Sequence, residues 1–275
     1  MLDINDFDTG GHNIGDTYVI YAPAGQGKTT LASQFPNPVL FDLNDGANRI
    51  PFKKFPVGKF MVDDPRRTLF KNYNELLASV GEIASGKYPF STLVIDSCSE
   101  IEKFIQKKCA SDYGMASFDK IGYGKGPVAV IPILNELLDG LSYLKNSLGM
   151  DVVLLAHAEL KKFPNASGDD YQRWVIQGEK QFSARLEQWP DNMFFINEEI
   201  MTRSEGEGVF KKVKAVRGNP RFLYTAGTSH FSAKSRPTKT GVILPPKIQI
   251  EAHNGYLNLM EASGYIIDEP QSVQA

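Results

Sequence analysis

Only two cysteines, Cys98 and Cys109, occur among the 275 residues of the chain. That scarcity excludes a disulfide-built scaffold and a zinc site made of cysteines. Long apolar runs are missing too. The longest aliphatic stretch, Val152 to Ala156, falls far short of the roughly 20 residues that span a bilayer. Met1 to Asp8 is acidic rather than basic and apolar, so it does not read as a signal peptide. Neither sign of charge is in excess: 30 Lys and Arg against 32 Asp and Glu leave a net of -2. That is not the balance of a polybasic nucleic-acid coat. No repeat, low-complexity tract or Pro/Ser-rich linker interrupts the chain. The expectation is a cytoplasmic protein of a reducing compartment that makes no use of a membrane.

What is present is an ordinary globular composition, 42% hydrophobic and 23% charged, long enough to bury a sizeable core. The near-zero net charge hides a segregation. Residues 201–247 carry ten Lys and Arg against two Glu, a net of +8, whereas residues 248–275 carry four acids and no Lys or Arg. Polar, Gly-rich residues 1–15 read as a flexible lead-in and 269–275 as a frayed tail. Between them, 16–268 reads as one domain in which 191–247 is a basic, β-rich end.

Short aliphatic runs at Thr17–Tyr21, Pro38–Asp42, Thr92–Asp96 and Val152–His157 predict buried strands. Longer stretches at Lys28–Gln34, Asn72–Ser85, Ser97–Ser111 and Val128–Leu148 predict helices. In the last, Ile131, Leu134, Leu137, Leu138, Leu141, Leu144 and Leu148 form one apolar stripe, and Pro132 falls near the expected start, where proline is tolerated. Strands alternating with helices imply an α/β fold with a mainly parallel sheet covered on both faces. Met193–Ile196, Val209–Val216 and Arg221–Tyr224 are strand-like without intervening helices, which predicts an antiparallel C-terminal extension of that sheet.

The sharpest motif is Ala22-Pro23-Ala24-Gly25-Gln26-Gly27-Lys28-Thr29-Thr30, between a predicted strand and a predicted helix, the context a phosphate-binding P-loop requires. Gly25 and Gly27 permit the backbone to turn successive N–H groups towards phosphates. Ala24, Gln26 and Thr30 complete the cradle. Lys28 supplies a point charge, Thr29 a hydroxyl for Mg²⁺, and the helix N-terminus its partial positive charge. The usual pattern opens with Gly where this chain has Ala22. A matching partner is Thr92-Leu93-Val94-Ile95-Asp96, a buried strand ending in an acid placed to serve the Mg²⁺; an N-cap role for Asp96 is compatible with that.

In order along the chain, IYAPAGQGKTTLA, VLFDLNDGANRI, STLVIDSCSEI, YGKGPVAVIPILNELL, VVLLAHAE and FSAKSRP together resemble the phage-encoded RecA-like recombination ATPases related to archaeal RadB, over roughly residues 15–240. The resemblance implies a RecA-like P-loop NTPase core, ATP with Mg²⁺, and single-stranded DNA as partner in annealing or strand exchange. It also implies self-association into a ring or filament in a bacterial host's cytoplasm, with a single-strand binding protein as a further candidate partner. It implies site residues as well. Where the family carries a water-activating glutamate this chain has Asn44, so Asp45 is the candidate one residue on, and slow intrinsic hydrolysis is expected. His157 stands where the family senses the γ-phosphate. Ala158–Lys180 stands where a mobile DNA-contacting loop is expected, with Lys161, Lys162 and Phe163 as its contacts. Tyr123 and Lys125 occupy the other DNA-loop position. Lys234 and Arg236 resemble the basic pair that reaches a neighbouring subunit's nucleotide.

Each of these residues also has a plainer reading: a turn at Asn44–Gly46, a core histidine, a solvated loop, a solvated basic hairpin. Three other functions stay open on the sequence alone. One is a nucleotide-gated binding protein with little hydrolysis, which Asn44 keeps alive. The second is a helicase or helicase-loader ATPase. The third, a small-molecule kinase, lacks an Arg-rich lid after Asp96.

Overall fold

Thr17–Ala22 (β1) alternates between two apolar surfaces. Val19 and Tyr21 face one core cluster, while Tyr18, Ile20 and Ala22 face the other. A strand buried on both faces must lie inside a sheet covered on both sides, and the computed structural model places it there. The structure describes residues 14–47, 49–55, 70–122, 124–165, 168–199, 202–205, 212–215 and 220–266. After β1 come α1 (Lys28–Ala32), β2 (Pro38–Asp42), β3 (Lys53–Lys54), α2 (Tyr73–Ala84), β4 (Thr92–Asp96), α3 (Cys98–Asp112) and α4 (Lys125–Leu148). They are followed by β5 (Asp151–Phe163), β6 (Tyr171–Ile176), α5 (Lys180–Gln188), β7 (Asn192–Glu198), β8 (Thr202–Glu205), β9 (Lys212–Ala215), β10 (Arg221–Tyr224), β11 (Lys247–Ile250) and α6 (Gly255–Ala262).

The main sheet runs β11-β10-β7-β1-β5-β4-β2-β3. Its strands from β7 to β3 are mutually parallel, and β10 and β11 are antiparallel. The α/β class, the mostly parallel sheet and the antiparallel C-terminal strands are thus as expected. Helices α2 to α5 bury the face that receives Val19 and Tyr21; α1 and α6 cover the other. The stripe of α4 holds: Leu134, Leu137, Leu138, Leu141 and Leu144 are all buried, although Leu148 at its end is exposed. Gly149, left-handed with φ 65°, donates its N–H to Leu144 O and ends the helix. The helix begins three residues before the expected start, so Pro132 lies inside it rather than at its first turn.

Three expectations change. β7 is not part of the antiparallel extension: it pairs parallel with β1, because α5 intervenes and carries the chain back across the sheet. Of Val209–Val216, the described residues 212–215 pair with β8 in a separate two-stranded sheet, so only β10 and β11 extend the main one. Ala158–Lys180 is not one mobile loop. β5 continues past the core through Phe163, adding roughly 20 Å of strand beyond His157, and pairs back with β6. That arm is anchored: Trp174 N donates to His230 O at 2.7 Å, and the rings of Trp174, Phe195, Phe231 and Tyr224 pack together.

Candidate nucleotide site at the carboxyl edge of the sheet

Parallel register decides which side chains meet. Ala22 at the end of β1 pairs with His157 on β5, and Asp42 at the end of β2 pairs with Asp96 at the end of β4. The carboxyl ends of β1, β2, β4 and the core part of β5 therefore form one edge, and the connection from β1 to α1 crosses it. Gly25 and Gly27 are left-handed, with φ 79° and 84°, a conformation other residues adopt only with strain. At Gly27 a Cβ would also stand 3.0 Å from Arg221 Nη1.

Lys28 is 7% exposed and donates to the carbonyls of Ala22 at 3.0 Å and Pro23 at 3.2 Å. Burial pushes its pKa below the ordinary lysine value, and Asp96 partly opposes the shift. Thr29 Oγ1 donates to Asp96 Oδ2 at 2.8 Å. The Asp96 carboxyl is raised by burial, against the hydrogen bond from Thr29 and the charge of Lys28. His157 is lowered, first by burial and then by Lys28, which favours a neutral imidazole.

The sequence-predicted residues separate into groups. Ala24, Gly25, Gln26, Gly27, Lys28, Thr29 and Thr30 form the loop and the start of α1, with Asp96 and His157 beside them. Asp45 stands in the turn after β2. It is left-handed with φ 59°, and its Oδ1 lies 3.6 Å from Lys54 Nζ. Asn44 instead lines a cavity of about 590 Å³ together with Ser97, Glu100, His157 and Glu159. Asp42 accepts from the backbone N–H groups of Gly46 and Ala47 and from Lys54 Nζ at 2.6 Å, so it shapes the turn rather than facing the cavity.

On the β5–β6 arm Lys161 and Lys162 are exposed; they pair with Glu159 and Asp170, each at 2.8 Å. Phe163 stacks on Tyr171. Lys125 opens α4 as an exposed residue, while Tyr123 lies outside the described residues. Lys234 and Arg236 sit at the opposite edge of the sheet. Lys234 Nζ donates to Gln188 O at 3.1 Å, and Arg236 Nε lies 3.3 Å from Asp191 Oδ1, beside the amino end of β1. Neither basic group joins its own chain's P-loop.

Arg221, which the sequence reading did not single out, does. It opens β10, its guanidinium stands over Gly27, and Glu198 Oε1 is 3.7 Å away. The only signal in the sequence was its membership of the basic end; which edge it serves depends on β10 running antiparallel beside β7.

Several polar groups here are buried without a partner: Gln26 Oε1, Ser97 Oγ, Ser99 Oγ and Arg221 Nε. Buried polar atoms are ordinarily paired, so orphans gathered at one edge mark a place built for something else. The donor set fits a polyphosphate with a hard divalent cation: Lys28, Arg221 and backbone N–H groups for the phosphates, Thr29 and Asp96 for the metal. Among the described residues no cluster of three or more His, Cys, Asp or Glu could hold a metal by itself. That suits Mg²⁺, which keeps waters and phosphate oxygens as most of its ligands. Also among the described residues, no helix is long and apolar enough to cross a membrane.

A crystal structure of the RadB recombinase is similar at 14% sequence identity and a TM-score of 0.42, over 87% of this chain and 89% of that one. No curated protein matches. The family model described as an AAA domain matches residues 15–237, which span the P-loop, Asp96, His157 and Arg236. The chain belongs to the AAA domain family.

Proposed function

We propose that the protein is a Mg²⁺-dependent ATPase that binds single-stranded DNA and acts in phage DNA recombination, by annealing or strand exchange. The observation that supports this most directly is that the nucleotide site and the arm carrying Lys161, Lys162 and Phe163 share a strand. β5 carries His157 beside Lys28 and Asp96, then Lys161, Lys162 and Phe163 on the projecting arm. Gln177, just past the end of β6, donates its N–H back to His157 O at 2.8 Å. A change at the phosphate end of His157 has a short covalent and hydrogen-bonded route to the arm. Lysines with an aromatic ring suit a flexible, stacked single strand.

On this reading Lys234 and Arg236, remote from their own P-loop, serve a neighbour's nucleotide in a ring or filament. An arginine supplied in this way raises phosphoryl-transfer rates by about 10³–10⁵. Asn44 on the cavity wall favours a second reading, a nucleotide-gated DNA binder with little hydrolysis.

Turnover of ATP with and without single-stranded DNA separates the two. The first reading expects turnover that DNA stimulates, and DNA binding that weakens linearly in log K against log salt. Stimulation by a nucleoside or other small acceptor, with no response to DNA, would replace it with a kinase reading. No DNA binding at low salt, with or without ATP, would refute both.

A further inference from the structure

The cavity of about 590 Å³ between β5 and the start of α3 has Asn44 on its wall where a proton-accepting carboxylate is expected, yet it is not short of carboxylates: Glu100, Glu102 and Glu159 also line it. They are not equivalent. Glu102 is buried and its Oε1 accepts the N–H of Glu179 at 2.8 Å. Glu159 accepts from Gly178 N and pairs with Lys161 Nζ at 2.8 Å. Both belong to the hairpin end, and the charges acting on Glu102 are those of Glu179, Glu159 and Lys161.

Glu100 belongs to the nucleotide end. The charges acting on His157 are those of Lys28, Asp96, Glu100 and Lys103. Glu100 stands in the first turn of α3, and its Oε1 accepts from Lys103 Nζ at 2.7 Å. Among the described residues no partner falls to its Oε2. Ser97 Oγ, on a residue 1% exposed, and Ser99 Oγ are buried on the same wall without partners. The wall that carries Glu100 thus also holds two hydroxyls without partners, and a carboxylate oxygen with room to accept is one of the two to four partners that an ordered water takes.

We propose that Glu100 takes the role that Asn44 cannot, accepting the proton of the water that attacks the terminal phosphoryl group of ATP. This rests on the ATPase reading above. In the step, the water oxygen forms a bond to the γ-phosphorus and the bond from that phosphorus to the β,γ-bridging oxygen breaks. The water's proton passes to Glu100 Oε2 and then to solvent, and ADP and inorganic phosphate are released. Lys103 fixes the carboxylate.

The test compares Glu100→Gln, Glu159→Gln and the double variant Glu100→Gln with Asn44→Glu in the full-length protein. Single-turnover cleavage of radiolabelled ATP is read alongside the affinity for a fluorescent ATP analogue with Mg²⁺. Glu100→Gln should slow cleavage by about 10²–10⁴, the usual contribution of a positioned general base. Its affinity should stay within about threefold, so that nucleotide recovered from the variant is ATP and not ADP. Glu159→Gln should lose less than about threefold, and the double variant should regain at least about tenfold over Glu100→Gln.

Wild-type cleavage by Glu100→Gln, an equal loss in Glu159→Gln, or loss of affinity or of the folded state in Glu100→Gln without recovery of cleavage in the double variant would overturn the assignment. If the wild-type protein binds Mg²⁺ and ATP but never cleaves it, with or without DNA, the ATPase reading has failed and the assignment falls with it. Wild-type cleavage that Glu100→Gln shares overturns the assignment alone.

Discussion

The two edges of the main sheet treat their polar groups in opposite ways. At the amino edge Asp191 is buried and fully engaged. Its Oδ2 accepts from Thr17 N at 3.0 Å, Thr17 Oγ1 at 2.7 Å and Lys145 Nζ at 2.7 Å, while its Oδ1 faces Arg236. At the carboxyl edge Lys28 has only loop carbonyls, and Gln26, Ser97, Ser99 and Arg221 keep buried atoms without partners. Leaving a buried donor or acceptor unmade costs about 1–3 kcal/mol. A fold that pairs Asp191 this fully at one edge and, among the described residues, leaves several buried atoms open at the other is suited to a ligand at the second. The amino edge is built for stability, the carboxyl edge for binding.

The sharpest test of that contrast uses Arg236, one of the two basic groups proposed to cross between edges. Arg236→Ala should leave the melting temperature and the ATP affinity of the isolated chain nearly unchanged, since its side chain is 72% exposed and exposed ion pairs contribute little. In the assembled protein it should lower turnover by about 10³ or more. Mixing Arg236→Ala with Lys28→Ala subunits should partly restore ATPase activity, because each then supplies what the other lacks. Mixtures that never recover would confine the amino edge to a structural part.

Lys28→Met should come next, with turnover falling by at least about a hundredfold as the phosphates lose a preorganised charge. Its melting temperature should hold or rise, because the substitution removes a buried ammonium whose hydrogen-bond partners among the described residues are carbonyls. A calorimetric scan checks this; a variant that melts several degrees lower would show that the carboxyl edge needs its polar groups for folding. Asp191→Asn should do the reverse, destabilising by about 3–5 kcal/mol through the unpaired Lys145 while the folded fraction still binds ATP. Burial alone would raise the Asp191 carboxyl, but Lys145 and Thr17 hold it below the ordinary range. A depressed carboxyl stabilises above its unfolded pKa of about 3.9, and that stability is lost as pH falls through the folded value. The gap between wild type and variant, measured by urea unfolding, should therefore be widest at neutral pH and narrow below about pH 4.

Much of this contrast was legible in the sequence, and the reason is local chemistry. The P-loop announces itself because glycine at two left-handed positions, a lysine and a threonine are adjacent in the chain; Asp96 does so because a buried strand runs straight into it. The strands of the parallel core were legible for a similar reason, since burial on both faces leaves continuous aliphatic runs. What could not be read was pairing over long separations. Phe163 and Tyr171 stack only because β5 overshoots the sheet, and nothing in Ala158–Lys180 shows that Trp174 will find His230 and Phe231. β7 looked like the antiparallel strands after it because direction is set by the helix before it, and α5, with its short apolar stripe of Phe182 and Leu186, was hidden in a charged segment. The +8 of residues 201–247 was real arithmetic but not one surface: Arg221 serves the carboxyl edge and Arg236 the amino edge.

Arg221 gives the smallest effect and the finest cut. It is the one basic side chain from β10 that reaches over the P-loop, with Nη1 at 3.0 Å from the Cβ position of Gly27 and Nε unpartnered. Glu198 at 3.7 Å is too distant for a direct hydrogen bond, so the guanidinium is held near the loop without being consumed. If the edge is kept for an anion, Arg221→Ala should weaken binding of Mg²⁺ and ATP by about tenfold, one charge-assisted hydrogen bond's worth. Unfolding stability should change by less than about 1 kcal/mol, because few protein bonds are lost. Arg221→Lys should recover part of the affinity but not all of it, since an ammonium keeps the charge and loses the planar fork. Equilibrium titration with a fluorescent ATP analogue, run beside urea unfolding, reads both quantities. An Arg221→Ala protein that binds nucleotide normally but unfolds easily would place Arg221 with Asp191 as a fold-holding group and erase the difference between the edges at this position.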